Sequence, residues 1–129
     1  MTHLPVKGGS AAEPGTAVLP ADATTRKEMP LVRGLLDYFP AALAAVAELS
    51  LMASKQHGHG DDMHWERAKS SDHADCIVRH LVDRGMIDGD NVRHSVKVAW
   101  RALALAEEEL EAAGAAPGRA SRFPEKRSA

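Results

Sequence analysis

The sequence predicts a small all-α domain, a helical bundle of three to four main helices. Three segments carry apolar residues at three-and-four spacing, and each is bounded by residues that start or stop helices. No segment alternates apolar and polar residues for long enough to form a strand. Glycines and prolines interrupt residues 1–25 and 114–129, which we predict to be a disordered arm and tail around a helical domain at 26–113.

The first main helix is predicted to run from about Pro40 to Ser54. Pro40 suits a first helical turn, because its missing N–H would have no partner there. Leu43, Val46, Ala47 and Leu49 follow at helical spacing. A short additional helix is predicted near residues 31–37.

The second predicted helix spans about Ser71 to Arg84. Ser70 or Ser71 would be its N-cap and Gly85 its stop. The apolar stripe of this helix comprises Ala74, Ile77, Val78 and Leu81.

The third predicted helix starts after Asp90 or Asn91, which are both good caps, and runs to about Ala112. Its apolar seam comprises Val92, Val96, Ala99, Leu103, Ala106 and Leu110.

Composition excludes several classes of function. The 129 residues include 16 Lys and Arg against 18 Asp and Glu, so no basic stripe for a nucleic-acid polymer is expected. No run reaches the roughly 18 apolar residues of a membrane span. The single cysteine, Cys76, cannot form an intramolecular disulfide, and we expect a cytoplasmic location. Alanine-rich helices bury little area per residue, which favours a homodimer or homotetramer.

The loop from Gln56 to Trp65 is rich in histidine, glycine and aspartate. Such a loop could supply metal ligands or phosphate donors, or it could be a solvated, flexible connection. The histidine spacing matches no tetrahedral zinc pattern.

The second helix carries a polar face. Asp72, Asp75, Arg79 and Asp83 are separated by three or four residues and therefore share one side of the predicted helix. Carboxylates at this spacing can converge on a hard cation such as Mg²⁺. The alternative is an exposed face of ion pairs.

A basic row on the third helix complements that face. His94, Lys97 and Arg101 follow one another at three-and-four spacing, after the turn that begins at Asp88. Such a row suits phosphate oxygens. Trp100 could contact a nucleotide base or complete the core, and packing is the commoner fate of a tryptophan.

These motifs together resemble a known family. The stretch from His64 to Asp75, the Arg79-His80-Leu81 triplet, residues 88–94 and residues 98–105 look like the dATP/dGTP diphosphohydrolase N-terminal domain family of bacteriophages and prophages. The resemblance covers about residues 29–110. It implies similarity to the all-α nucleotide pyrophosphohydrolases, in which helix-borne Glu and Asp bind Mg²⁺ and a dNTP is cleaved to dNMP and pyrophosphate.

Two departures from the pattern concern the catalytic assignment. The better-known pyrophosphohydrolases carry two acidic pairs on successive helices, whereas the first helix here offers only Glu48. Ala53-Ser54-Lys55 also stands where a Gly-Asn-type turn is expected.

The sequence therefore predicts a metal-dependent pyrophosphohydrolase acting on a purine dNTP, with Mg²⁺ or Mn²⁺ as cofactor. The predicted catalytic residues are Asp75, His80 and His94; the substrate-binding residues are Gln56, His57, Trp65, Lys69, Arg79, Lys97 and Arg101; the metal ligands are Asp72, Asp75 and Asp83.

The alternative is a non-catalytic nucleotide sponge or sensor of phage origin. A purely structural adaptor would leave these polar residues without a purpose. Nucleotide binding as predicted requires Asp72, Asp75, Arg79 and His94 to face one hollow, within a chain or between neighbouring chains.

Overall fold

The computed structural model describes residues 17–59 and 62–122, so Gly60 and Asp61 of the histidine-rich loop lie outside the described residues. Within these ranges the chain forms five α-helices and no sheet, which confirms the predicted all-α class. The helices are α1 (Ala23–Lys27), α2 (Pro40–Gln56), α3 (His73–Val82), α4 (His94–Ala112) and α5 (Arg119–Arg122). Both α2 and α3 pack against α4.

Helix α2 begins at Pro40 as predicted and extends two residues beyond Ser54. The helix ends at Gln56 and is followed by Gly58, whose φ of 85° is readily adopted only without a side chain. The His59 N–H then donates to the Ser54 carbonyl at 2.9 Å, which satisfies a carbonyl of the last turn. Upstream, the predicted short helix at 31–37 is a single wide π-type turn over Val32–Leu36.

Helix α3 is shorter than predicted. Ser70 has extended backbone (φ −143°, ψ 115°), and Asp72 occupies the cap position, although its side chain accepts no hydrogen bond from the N–H groups of the first helical turn. The predicted serine N-cap is therefore wrong. The helix ends at Val82, and Gly85 follows with φ of 90° inside the connecting turn.

The buried face of α3 differs from the predicted apolar stripe. His73 and Cys76 are buried, whereas Val78 and Leu81 remain 59% and 42% exposed. The face of α3 that packs against α4 is therefore the one that carries His73 and Cys76, not the predicted apolar stripe. Exposed apolar side chains of this kind are what an oligomer interface would cover, and oligomerisation stays a prediction.

A tight loop connects α3 to α4. The Asp88 N–H donates to the Val92 carbonyl at 2.9 Å, and Ile87 forms an isolated antiparallel bridge with Arg93. Asn91 turns the chain with a positive φ of 68°. The predicted Asp90 or Asn91 cap is wrong, because both residues lie in this loop and Arg93 precedes the helix.

Part of the predicted tail packs on the domain. Helix α4 ends at Ala112 and is followed by Gly114, with φ of 116°, and by the buried Ala115 and Ala116. The chain then forms α5, where the Ala120 carbonyl accepts from the Trp65 N–H at 3.1 Å. Residues 123–129 of the predicted tail lie outside the described residues.

Part of the predicted N-terminal arm is also helical. Helix α1 begins within the arm, continues two residues into the predicted domain, and is capped by Asp22, which accepts from the Thr25 N–H at 2.9 Å. The first 16 residues of the arm lie outside the described residues.

Among the described residues, no single helix has the length and apolar character of a membrane span. The helix pair Ala23–Leu36 and Pro40–Gln56 meets those two criteria jointly but is bent by 91°.

Candidate functional site

A cavity of about 440 Å³ lies between α2, the segment at 63–66 and α4. Its volume falls within the range of small-molecule sites. Six of the residues predicted from sequence to act in the site line this cavity: Gln56, His57, Trp65, His80, Lys97 and Arg101. Distant parts of the sequence are thus brought to one hollow.

Two tryptophans form one wall of the cavity. Trp65 and Trp100 meet edge to face, with ring centroids 5.8 Å apart and an interplanar angle of 83°. The Trp100 Nε1–H donates to the Ser50 hydroxyl at 2.8 Å, which fixes the indole against α2. Trp100 therefore packs on the helices and also lines the cavity, so both roles considered from sequence are compatible with its position.

Arg67 stacks on the ring of Trp65. Its guanidinium carbon lies 3.9 Å from the Trp65 ring centroid. The same guanidinium donates to both carboxylate oxygens of Glu111, at 2.6 and 2.9 Å, and to the Ser121 hydroxyl at 2.9 and 3.0 Å. A bidentate pair of this type is strong and directional. Arg67 was not predicted from the sequence, because its hydrogen-bond partners lie more than 40 residues away.

Lys97 lies between two carboxylates at the cavity. Its Nζ donates to Asp88 Oδ2 at 2.8 Å and to Asp90 Oδ2 at 2.6 Å. Burial opposes the charge, but these hydrogen bonds raise the pKa of Lys97. The bond from Lys97, helped by the Gly89 N–H, lowers the pKa of Asp88 to about 2. All three groups are therefore ionised at neutral pH.

Arg101 is held by residues at the start of α3. Its Nη1 lies 3.2 Å from His73 Nδ1 and 3.8 Å from Asp72 Oδ1. A guanidinium can only donate, so His73 Nδ1 accepts and the proton of its neutral form lies on Nε2. That Nε2 is buried without a hydrogen bond, and Glu108 Oε1 is 3.4 Å away in poor alignment.

His80 and His94 face each other across the α3–α4 connection. Their Nδ1 atoms are 2.8 Å apart, and His94 Nε2 lies 4.0 Å from Asp88 Oδ1. Burial lowers the pKa of His80 below its ordinary 6.5, and the charges of His94 and Lys97 act in the same direction. One potential ligand atom from each of His80, Asp88 and His94 lies within 4.8 Å of the others.

The three aspartates predicted to bind a metal do not come together. In the described part of the chain, His80, Asp88 and His94 are the only three potential ligands that cluster so closely. Asp72 lies before α3 with non-helical φ and ψ, so helical spacing to Asp75 does not apply. Asp83 follows the last residue of the helix. The predicted carboxylate site therefore does not fit Mg²⁺ as proposed from the sequence.

Asp72 instead pairs with Arg79. Arg79 Nη2 lies 2.9 Å from Asp72 Oδ2, and the side chains of Arg79 and Asp72 are 62% and 50% exposed, respectively. The bond lowers the pKa of Asp72 and raises that of Arg79. The alternative for the second helix was an exposed face with the ion pairs Asp75–Arg79 and Arg79–Asp83, whereas in the structure the exposed Arg79 pairs with Asp72.

Within one chain, the required shared hollow is only partly formed. Asp72, Asp75, Arg79 and His94 are absent from the described lining of the cavity. His94 contacts the cavity residue His80, and Asp72 lies near Arg101, whereas Asp75 is exposed. The side chain of the predicted phosphate ligand Lys69 lies outside the described part of the structure.

Three comparisons, with protein families, with curated proteins and with solved structures, find no match to this chain. The family resemblance of its motifs therefore stays a prediction.

Proposed function

We propose that this protein binds a purine deoxynucleoside triphosphate in the cavity and hydrolyses it to dNMP and pyrophosphate. The observation that carries the proposal is the lining of the cavity, which combines two tryptophans with Lys97 and Arg101. A nucleotide needs the same combination, an aromatic surface for the base and cations for the phosphates.

The tryptophan wall is the expected contact for the base. Stacking of a base on an aromatic side chain contributes about 1–3 kcal/mol. Trp100 is suited to this role because its bond to Ser50 holds the indole before any ligand arrives. Pre-ordering of a side chain lowers the entropic cost of binding.

Lys97 and Arg101 are the expected contacts for the phosphates. Both lie on α4, four residues apart, and both line the cavity. Lys97 keeps its charge at neutral pH, since Asp88 and Asp90 raise its pKa. The phosphates would share or displace these carboxylate partners, so binding would depend strongly on ionic strength.

The hydrolysis itself requires one water molecule. Its oxygen bonds to the α-phosphorus, the bond from that phosphorus to the α–β bridging oxygen breaks, and pyrophosphate leaves. A base accepts the proton of the water. His57 and His80 both line the cavity and are the candidates for this proton transfer.

A second candidate function is nucleotide binding without turnover, as in a sponge or sensor. It is favoured by the separation of Asp72, Asp75 and Asp83, because the acidic metal site of the pyrophosphohydrolases has no counterpart among them. The cavity serves this function equally well.

One experiment tests binding and turnover together. Purified protein is titrated with dGTP and dATP while tryptophan fluorescence is followed, and pyrophosphate is assayed with Mg²⁺ and separately with Mn²⁺. Pyrophosphate release supports the hydrolase, and saturable quenching without product supports the sponge. Absence of both would refute nucleotide binding.

A matched pair of variants ties the ligand to the cavity. Arg101→Gln is expected to weaken nucleotide binding at least about tenfold, because a charge-assisted hydrogen bond to phosphate is lost. Arg84→Gln changes the same residue type at an exposed position outside the cavity lining and should bind as the wild type does. Equal weakening by both would indicate a nonspecific charge effect.

A further inference from the structure

The cluster of His80, Asp88 and His94 is built by the loop that joins α3 to α4. His80 lies near the end of α3, His94 begins α4, and Asp88 lies between them in the tight loop. The bond from the His94 N–H to the Met86 carbonyl, at 3.1 Å, joins the start of α4 to the beginning of the loop and closes it. The cluster is therefore fixed by backbone as well as by side chains.

From this geometry we propose that His80, Asp88 and His94 form a three-ligand site for a divalent first-row transition metal ion at the edge of the cavity. One ligand atom from each residue lies within 4.8 Å of the other two. His80 also lines the cavity. Positions that the three side chains leave open would be available to water or to an oxygen of a bound molecule.

The chemistry of the donors decides the class of metal. Two imidazoles and one carboxylate suit Zn²⁺, Co²⁺, Fe²⁺ or Mn²⁺. Mg²⁺ prefers an all-oxygen shell and keeps several of its waters. The proposed site is therefore selective against Mg²⁺, in contrast to the aspartate site predicted from sequence.

Hydrogen bonds from neighbouring groups hold the Asp88 carboxylate in place as a metal ligand. Its Oδ2 accepts from Lys97 and its Oδ1 accepts from the Gly89 N–H at 2.7 Å. Hydrogen bonds from outside the ligand shell orient a metal-binding carboxylate. Oδ1 lies 4.0 Å from His94 Nε2, so the carboxylate lies beside the histidine pair.

A plain hydrogen bond between two neutral imidazoles is the competing account of the 2.8 Å contact. A metal ion would replace the shared proton, because each nitrogen can offer its lone pair to only one partner. The two accounts differ in what happens when metal is added.

The test measures metal binding in the absence of any nucleotide, so its failure is separate from a failure of the proposed function. The full chain is dialysed against Zn²⁺ and Co²⁺, with Mg²⁺ in excess as competitor. We expect one tightly bound ion per chain, with visible absorption in the Co²⁺ form. His80→Gln, Asp88→Asn and His94→Gln should each weaken binding at least about tenfold.

His57→Gln is the matched control, because it makes the same substitution at a histidine outside the cluster. It should retain the bound ion. The folded state of each variant is checked by circular dichroism. Nitrogen-detected NMR of the wild-type imidazoles gives a readout that needs no variant, and Zn²⁺ should shift the signals of His80 and His94.

Three results would overturn the proposal. One is retention of the ion by all three cluster variants. Another is a Zn²⁺-induced shift confined to His59 and His64, whose rings also lie close together, with centroids 5.2 Å apart. The third is wild-type protein that binds no ion at micromolar Zn²⁺, in which case the contact between His80 and His94 is a hydrogen bond and not a metal site.

Discussion

The Nδ1 atoms of His80 and His94 lie 2.8 Å apart, although 14 residues separate them in sequence. At this distance only one of the two nitrogens can carry a proton, so one ring donates and the other accepts. Protonation of both rings would bring two positive charges together beside Lys97 and Arg101. At least one ring of the pair must therefore stay neutral for the hydrogen bond to form.

The stability of the protein should fall as the pH drops below about 6.5. Burial, with the charges of His94 and Lys97, lowers the pKa of His80 below that value. The unfolded chain then takes up a proton at a higher pH than the folded chain does. Stability from neutral His80 is thus present above 6.5 and is lost between 6.5 and the lower folded pKa.

Urea unfolding at several pH values between about 5 and 8 measures this dependence. His80→Gln should flatten it, and His57→Gln should leave it unchanged. Identical slopes for wild type and His80→Gln would show that His80 is not the group responsible.

A second loss of stability is expected in acid and belongs to Asp88. Its pKa is lowered to about 2 from 3.8, first by the Lys97 hydrogen bond and then by the Gly89 N–H. A depressed carboxyl pKa stabilises the fold above the unfolded value, and that contribution disappears as the pH falls from about 4 toward 2. Asp88→Asn should therefore reduce the difference in stability between pH 5 and pH 2.5. Asp62→Asn, at an exposed position, serves as the control.

Removal of Arg67 should destabilise the fold by about 2 kcal/mol, since charge-assisted bonds to a largely buried partner are lost. Arg67 and Glu111 are only 29% and 16% exposed. We expect Arg67→Met to lower the midpoint of thermal unfolding clearly. Arg79→Met removes a guanidinium from an ion pair that solvent screens, and its midpoint should stay near that of the wild type. A larger effect at Arg79 would contradict the importance assigned to burial.

Two glycines in the α3–α4 connection should respond differently to alanine. Gly85 has φ of 90°, where an alanine is strained although no atom lies within 4 Å of its Cβ. Gly85→Ala should therefore cost about 1 kcal/mol of unfolding free energy. Gly89 also has open space around a Cβ and no positive φ, so Gly89→Ala should be neutral or slightly stabilising. Chemical denaturation of both variants decides the matter, and a costlier Gly89→Ala would be inconsistent with this backbone.

The sequence by itself determined the class of fold and the positions of the main helices. Apolar spacing located all three, and the proline at 40 marked the start of α2 to the residue. These features are local, because helix periodicity and a proline at the first turn act within a few residues. The sequence also selected Lys97, Arg101 and His80, which line the cavity.

Only the tertiary structure decided which polar residues meet. Equal helical spacing suggested that Asp72 and Asp75 would converge, but Asp72 precedes the helix and turns to Arg79. Asp88 was assigned to a turn, yet the folded loop places it beside the two histidines. Such contacts depend on where a helix stops and how its connection returns, and these are set by packing against α4 rather than by local periodicity.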